Sequence, residues 1–360
     1  MIPKFDPKEL EVVAVRPANP MMPSVNLYNY PVTAKKAYDS ALRKKPYWEI
    51  IGVENRIFTP RLLPDNCARA FVLEAQPFDA LKEGGGPDMF GIEWEYIAQV
   101  GGSMVRPGKP FAEDANELLE KVVWPDIEAW DWEGAARANN GTYLTEDLFV
   151  NCWFQTGWFE RLISFMDFEN AIMALFDEDQ KDAVHAFFDK LTDLYIRIFD
   201  KLLTHFPLID SFYVHDDWGS QKETFFSPAV AEEMIVPYMK RVTDFVHSKG
   251  KVCEMHSCGQ LIKQIPNIIK AGWDAWGGQN MNDTHKIYEL YGDQILIGVI
   301  PAPFDVENST EDEQRAAARE FADKFCQPGK PSFLNHSGAM YLTPAFREEL
   351  YIQSRINYSK

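Results

Sequence analysis

An imidazole and a thiol stand two residues apart in the run His256-Ser257-Cys258-Gly259-Gln260. The preceding Lys251-Val252-Cys253-Glu254-Met255 is apolar-rich and a helical pattern follows, so the run falls where a strand ends. Side chains alternate along a strand, which puts Glu254, His256 and Cys258 on one face and Cys253, Met255 and Ser257 on the other. Imidazole nitrogen and thiolate sulfur are ligands that zinc prefers. Histidine and cysteine are also ordinary core residues, so the place of the motif in the chain has to decide between the two. Glu254, on the same face, is a candidate ligand or general acid, or else one half of a buried salt bridge.

The elements around this run set that place. Ser211 to His215 reads as a strand ending at Asp216-Asp217-Trp218-Gly219, with His215 and Asp217 on one face. Asp216 and Asp217 are either helix caps or cavity carboxylates that hold a substrate or a ligand histidine. One long helix is expected from Pro228 to His247, with proline in its first turn, and Lys249-Gly250 breaks it. Helical patterns then run from Leu261, from Thr284 to Tyr291, from Glu311 to Cys326 and from Pro344 to Arg355. Strand patterns fall at Trp273 to Trp276, Gln294 to Ile300 and Ser332 to Asn335. Upstream, Phe71 to Glu74 and Leu148 to Trp153 read as strands, Glu83 to Asp88 as a glycine-rich loop, and Thr33 as the cap of a helix reaching Leu42.

Strand and helix thus alternate at intervals of about 30–40 residues, the pattern of a parallel sheet. With 360 residues the chain has the length of an α/β protein of the (β/α)8 TIM-barrel type. The expected division is one barrel domain, residues 49–360, with residues 1–48 an extended N-terminal arm and first helix packed on it. A doubly wound sheet is the alternative, but no G-x-G-x-x-G run follows a strand. In a barrel the chemistry gathers at the C-terminal strand ends. Those ends carry Asp216, Asp217 and Trp218, then Glu254, His256 and Cys258, then Gln279 and Asn280, Pro301, and finally Asn335, His336 and Ser337. The tryptophans Trp94, Trp153, Trp158, Trp218 and Trp276 lie near strand ends too; core packing explains most of them, and a few can wall a flat ring.

This order resembles the uroporphyrinogen decarboxylase superfamily, which includes zinc- and corrinoid-linked methyltransferases. The resemblance rests on Asp88 to Trp94, on His215 to Gln221, on His256-Ser257-Cys258-Gly259, on Gly298 to Pro301 and on Gly338 through Thr343-Pro344. It implies a (β/α)8 barrel in which His256 and Cys258 ligate zinc. The third ligand of the methyltransferase branch is a cysteine whose position falls on Ser337 here, beside His336. The departure leaves His336 or Glu254 to complete the site.

The activity implied is transfer of a methyl group between a small molecule and a corrinoid (cobalamin) carried by a partner protein. The small molecule is a methyl donor, an aryl methyl ether being favoured, or a thiol acceptor. Glu254, Asp217 and Asp216 are the candidate catalytic residues. His215, Trp218, Gln279, Trp94 and Asn335 are the candidates for substrate binding, and His256, Cys258 and His336 for the metal. The alternatives are a cofactor-free decarboxylase of the uroporphyrinogen type on the same barrel and a non-catalytic barrel that binds a corrinoid or an aromatic compound. Against the decarboxylase, the chain has Arg56 and Arg61 but no N-terminal arginine cluster to hold porphyrin carboxylates.

Composition narrows the partners. Fifty-four acidic and 36 basic residues give a net charge of −18, which disfavours nucleic acid and anionic membranes. Hydrophobic residues at 46% and aromatics at 14% suffice for a packed core. Five cysteines without regular spacing suit reduced thiols better than a disulfide framework. With no signal-peptide pattern and no long apolar stretch, a cytoplasmic protein, monomeric or homodimeric, is expected.

Overall fold

A computed structural model describes residues 2–17, 24–99, 101–303, 305, 308–335 and 343–360. The chain folds as two compact units. One comprises residues 57–145 and 150–273, the other residues 1–56, 146–149 and 274–360.

The first of these units is built on the strands Phe149–Phe154, Ile209–His215 and Val252–His256, which run parallel in that order. Two helices, Trp158–Ala174 and Lys181–His205, separate the first strand from the second, and Pro228–Met234 and Val236–Ser248 separate the second from the third. Parallel strands need such crossovers. Each strand has two unlike faces. Phe212 and Val214 are buried, and Phe212 stacks on Phe199 of the long helix at 4.1 Å between ring centroids. That helix buries Phe187, Leu191, Leu194, Tyr195, Ile198 and Leu202, a stripe at helical spacing. Tyr213 and His215 point the other way, which leaves their face of the strand for chemistry.

Three sequence expectations change here. The helix expected from Pro228 to His247 is two helices, broken at Ile235 (φ −122°, ψ −45°). Pro237 lies in the first turn of the second; it has no N–H to donate and its ring would clash with the carbonyl four residues back. Phe71 to Glu74 forms no parallel strand, only an antiparallel bridge between Thr59 and Leu73. Within the glycine-rich stretch, Gly86–Pro87 pairs with Glu93–Ile97, which pairs with Gly102–Val105, all antiparallel.

In the other unit the strands Ala275–Gly277, Leu296–Val299 and Ser332–Leu334 run parallel, alternating with the helices Thr284–Tyr291 and Glu311–Phe325. A final helix, Pro344–Tyr358, packs along Glu311–Phe325. The N-terminal residues are not plain extended chain: Val12–Arg16 pairs antiparallel with Val25–Tyr28. Arg355 binds both carboxylate oxygens of Glu9 at 2.8 Å, and the Tyr351 hydroxyl donates to Glu9 Oε2 at 2.6 Å. Alternation of parallel strand and helix in both units makes this an α/β fold of the TIM-barrel-like class, as the sequence pattern leads one to expect. No helix among the described residues is long and apolar enough to cross a membrane.

Glu49 is fully buried and receives hydrogen bonds from Tyr358 and Ser332, both at 2.7 Å, and from Cys326 at 3.3 Å. Burial outweighs these donors and pushes its carboxyl from 4.5 up to about 7. A raised folded pKa means that stability is fully present below the unfolded value and is lost as pH rises through the folded one. Stability to denaturant is therefore expected to fall between pH 5 and pH 8 by an amount that includes about 3 kcal/mol from this group. The Glu49→Gln protein should show a shallower slope; an equally steep one would contradict the assignment.

Candidate functional site

Strand register assembles the site. In the ladder between Ile209–His215 and Val252–His256, His215 lies opposite His256 and Tyr213 opposite Glu254. The two imidazoles stack with centroids 5.2 Å apart and an interplanar angle of 15°. Asp217 and Cys258 follow two residues beyond each histidine, on the same faces. One ligand atom from each of His215, Asp217, His256 and Cys258 lies within 4.8 Å of the other three. His215 Nε2 stands 3.2 Å from Asp217 Oδ1, and Cys258 Sγ 3.6 Å from His256 Nε2. The Cys258 N–H donates to Asp217 Oδ1 at 2.6 Å.

These separations fit a metal ion. Two ligands at zinc's bond lengths of about 2.0–2.3 Å stand about 3.3–3.6 Å apart in a tetrahedron. Two imidazoles, a thiol and a carboxylate are also a donor set suited to zinc. Asp217 brings a negative charge to the cluster. Burial alone would raise Asp217, yet the hydrogen bond and charge of His215, the Cys258 N–H and the charge of His256 hold it well below the usual carboxylate range. Burial would lower His215, but the charge of Glu160 and the hydrogen bonds to Asp217, Cys258 and Glu160 hold it well above its ordinary value. The Cys258 thiol is pushed up by burial and by Asp217.

Asp216 has a different task. Its carboxylate accepts from the N–H of Phe159 (3.3 Å) and of Glu160 (2.9 Å), at the start of the helix Trp158–Ala174, and from Trp218 Nε1 (2.9 Å). That helix begins at Gly157, which offers no capping side chain, so Asp216 supplies the cap from the neighbouring strand end. A Cβ on Gly157 would stand 2.4 Å from the Asp216 side chain, which makes glycine the residue that fits. Trp218 is completely buried. Asp216, expected as a catalytic residue, and Trp218, expected in substrate binding, thus both support this helix start. Burial pushes Asp216 up to about 7 against the donors it accepts from. Gly259, with φ +89°, lies against the backbone of Gly219, where a Cβ would come within 2.2 Å of its carbonyl. The turn after Cys258 thus needs both a positive φ and no side chain.

Glu254 is buried one alternation below His256 and accepts from Asn151 Nδ2 at 2.7 Å, outside the four-residue cluster. Trp94 is buried, donates to Asp88 Oδ2 (3.1 Å) and carries the Arg69 guanidinium 5.0 Å over its ring. Gln279 and Asn335 belong to the other unit, where Asn335 Nδ2 donates to the Gly278 carbonyl at 2.6 Å. His336 and Ser337 lie outside the described residues. Three contributors escaped the sequence reading: Arg69, Glu160 and Asn151. Glu160 carries one usable signal, being in the first turn of the helix after the Leu148 to Trp153 strand pattern; Arg69 sits at a helix end with no spacing relation to the motifs.

A parallel α/β scaffold with a cluster of groups able to hold a metal at two adjacent strand ends is the class that fold and site define together. The model of the uroporphyrinogen decarboxylase (URO-D) family matches residues 154–337, just over half of the chain, and the chain belongs to that family. A solved methyltransferase from Methanosarcina mazei shares the fold, with a TM-score of 0.58 and 16% sequence identity over 91% of this chain and 99% of that one. No curated protein sequence matches the chain.

Replacing Asp216 with alanine removes a cap of two backbone N–H groups and the partner of a buried indole. Unfolding free energy is expected to fall by about 1–2 kcal/mol or more in denaturant titrations. Unchanged stability would contradict the capping role.

Proposed function

We propose that the chain is a zinc-dependent methyltransferase that moves a methyl group between a small molecule and the cobalt of a corrinoid carried by a partner protein. The observation that carries this reading is the convergence of His215, Asp217, His256 and Cys258 within 4.8 Å. Family membership and the likeness of fold to a methyltransferase support it. His256 and Cys258 would hold the metal, with His215 and Asp217 completing the donor set. Bound there, zinc would polarise the oxygen of a methyl ether or acidify a thiol.

An aryl methyl ether is the favoured donor. Transfer to the corrinoid would use the cobalt's electron pair for the new bond to the methyl carbon while the C–O pair left with the oxygen, and that oxygen would need a proton. Glu254 is the acid nearest in strand position to the cluster, and the Asn151 amide fixes its rotamer. Trp153 lies between Phe71 (5.4 Å) and Tyr213 (4.3 Å) in a stack of rings, an apolar wall that shares the strand face of His215. Gln279 and Asn335 remain candidates for substrate contact. In the thiol direction a thiolate takes the methyl group and Co(I) leaves, with no acid required. A cofactor-free decarboxylase is less favoured: Arg69 is taken up by Glu160 and Trp94, and Arg161 by Asp65 and Asp88, so neither stands ready for a porphyrin carboxylate.

Free cob(I)alamin and a set of methoxyarenes, mixed with zinc-loaded protein, should give methylcobalamin, read by absorbance. Turnover of uroporphyrinogen by metal-free protein would instead establish the decarboxylase. Cys258→Ala is expected to lose zinc and activity while keeping its melting temperature; zinc at full stoichiometry in that variant would reject the site.

Glu254→Gln should keep its zinc and lose on the order of a hundredfold or more in demethylation rate. The loss should be smaller for donors whose leaving oxygen is a weak base. A normal rate with normal zinc would remove Glu254 as the acid and point to the thiol direction.

A further inference from the structure

Behind the four-residue cluster lies a second set of groups that neither the family match nor the sequence motifs assign. His215 has two ring nitrogens with separate partners. Nε2 faces Asp217 Oδ1 at 3.2 Å within the cluster, while Nδ1 lies 2.6 Å from Glu160 Oε2. Glu160 Oε1 receives Arg69 Nη1 at 2.8 Å, and the Arg69 guanidinium lies over the Trp94 ring. Arg69 Nη2 also stands 3.1 Å from His215 Nδ1. A ring nitrogen bearing a lone pair would repel a carboxylate oxygen at 2.6 Å, so Nδ1 carries a proton and donates a hydrogen bond to Glu160; the Arg69 contact is then a close approach between two donors, held by the carboxylate they share.

Glu160 is itself fixed. Its backbone N–H is capped by Asp216, so the first turn of the helix Trp158–Ala174 cannot shift without breaking that bond. The chain of contacts runs from Asp216 to the helix start, to Glu160, to His215, and so to the cluster. All of these residues lie in one compact unit. Metal-bound histidines commonly donate their other ring N–H to a carboxylate, which sets the tautomer and aims the ligating nitrogen.

We propose that Glu160, anchored by Arg69, is a positioning residue that fixes the proton of His215 on Nδ1 and makes His215 Nε2 a metal ligand. The proposal rests on the metal-dependent reading above and adds to it the support that orients one of its ligands.

Zinc affinity of the apoprotein, measured by competition with a chromophoric chelator, tests it. Glu160→Gln preserves size and should weaken zinc binding by about 10- to 100-fold. In a His215→Ala background the same change should add almost nothing, because its effect passes through His215. A residue that only stabilises the fold would lower the melting temperature equally in both backgrounds and leave the ratio of zinc affinities unmoved. Should Glu160→Gln fail to fold, nitrogen-15 NMR of imidazole-labelled, zinc-loaded wild-type protein decides, with His215→Gln used for assignment. Nδ1 protonated and Nε2 metal-bound is the expected pattern. Affinity of Glu160→Gln within twofold of wild type, or a His215 that binds through Nδ1, overturns the proposal and leaves the functional reading standing; a His215 that binds no zinc overturns the proposal and removes one ligand from that reading's donor set. No zinc uptake by wild-type protein overturns both.

Discussion

One register between two parallel strands carries the site: His215 opposite His256 in the ladder joining Ile209–His215 to Val252–His256. Because side chains alternate along a strand, that pairing brings Asp217 and Cys258 to the same place one step further on. A slip of one residue in either strand would send that strand's histidine to the helix-covered face. The register is secured from behind by apolar packing, with Phe212, Val214, Cys253 and Met255 all buried. The hydrophobic faces of the strands thus hold the polar faces in line.

Gathering this many ionisable groups in a half-buried place costs desolvation, and the structure offsets it with alternating charge. Arg69, Glu160, His215 and Asp217 follow one another as a cation, an anion, an imidazole and an anion at 2.6–3.2 Å. A similar arrangement lies deeper, where Arg161 is held by Asp65 and Asp88, and Asp88 also accepts from the Trp94 indole. Removing one member of such a chain leaves its neighbour charged and unpaired, which is more costly than the pair is stabilising. The two networks meet at Trp94, which donates to Asp88 and underlies Arg69. The Asp88 to Trp94 motif is thereby a support for the site more than a wall of it.

Much of this was legible from residue order. Alternation alone joins His256 to Cys258 and His215 to Asp217, and the strand–helix rhythm gives the fold class. The helix from Thr284 to Tyr291 and the Thr33 cap fall where the local signals put them, because capping and period are short-range effects. What escaped depends on contacts distant in the chain. Asp216 caps a helix that starts some sixty residues earlier, which no local rule reveals. Glu160 reaches His215 across 55 positions and Arg69 across 146. Pro237 follows the break in one expected helix, and Pro266 stands in the first turn of another that starts at Ile265 and not at Leu261; a period does not register a missing N–H. The antiparallel strands at Gly86 to Val105 lie in a stretch whose glycines masked them.

The central claim is that His215, Asp217, His256 and Cys258 together bind one metal ion. X-ray absorption at the zinc edge of the metal-loaded protein reads that ligand set directly. The account predicts a four-coordinate shell with one sulfur at about 2.3 Å and three nitrogen or oxygen neighbours at about 2.0–2.1 Å, two of them showing imidazole scattering. A shell with two sulfurs, or with none, would contradict it.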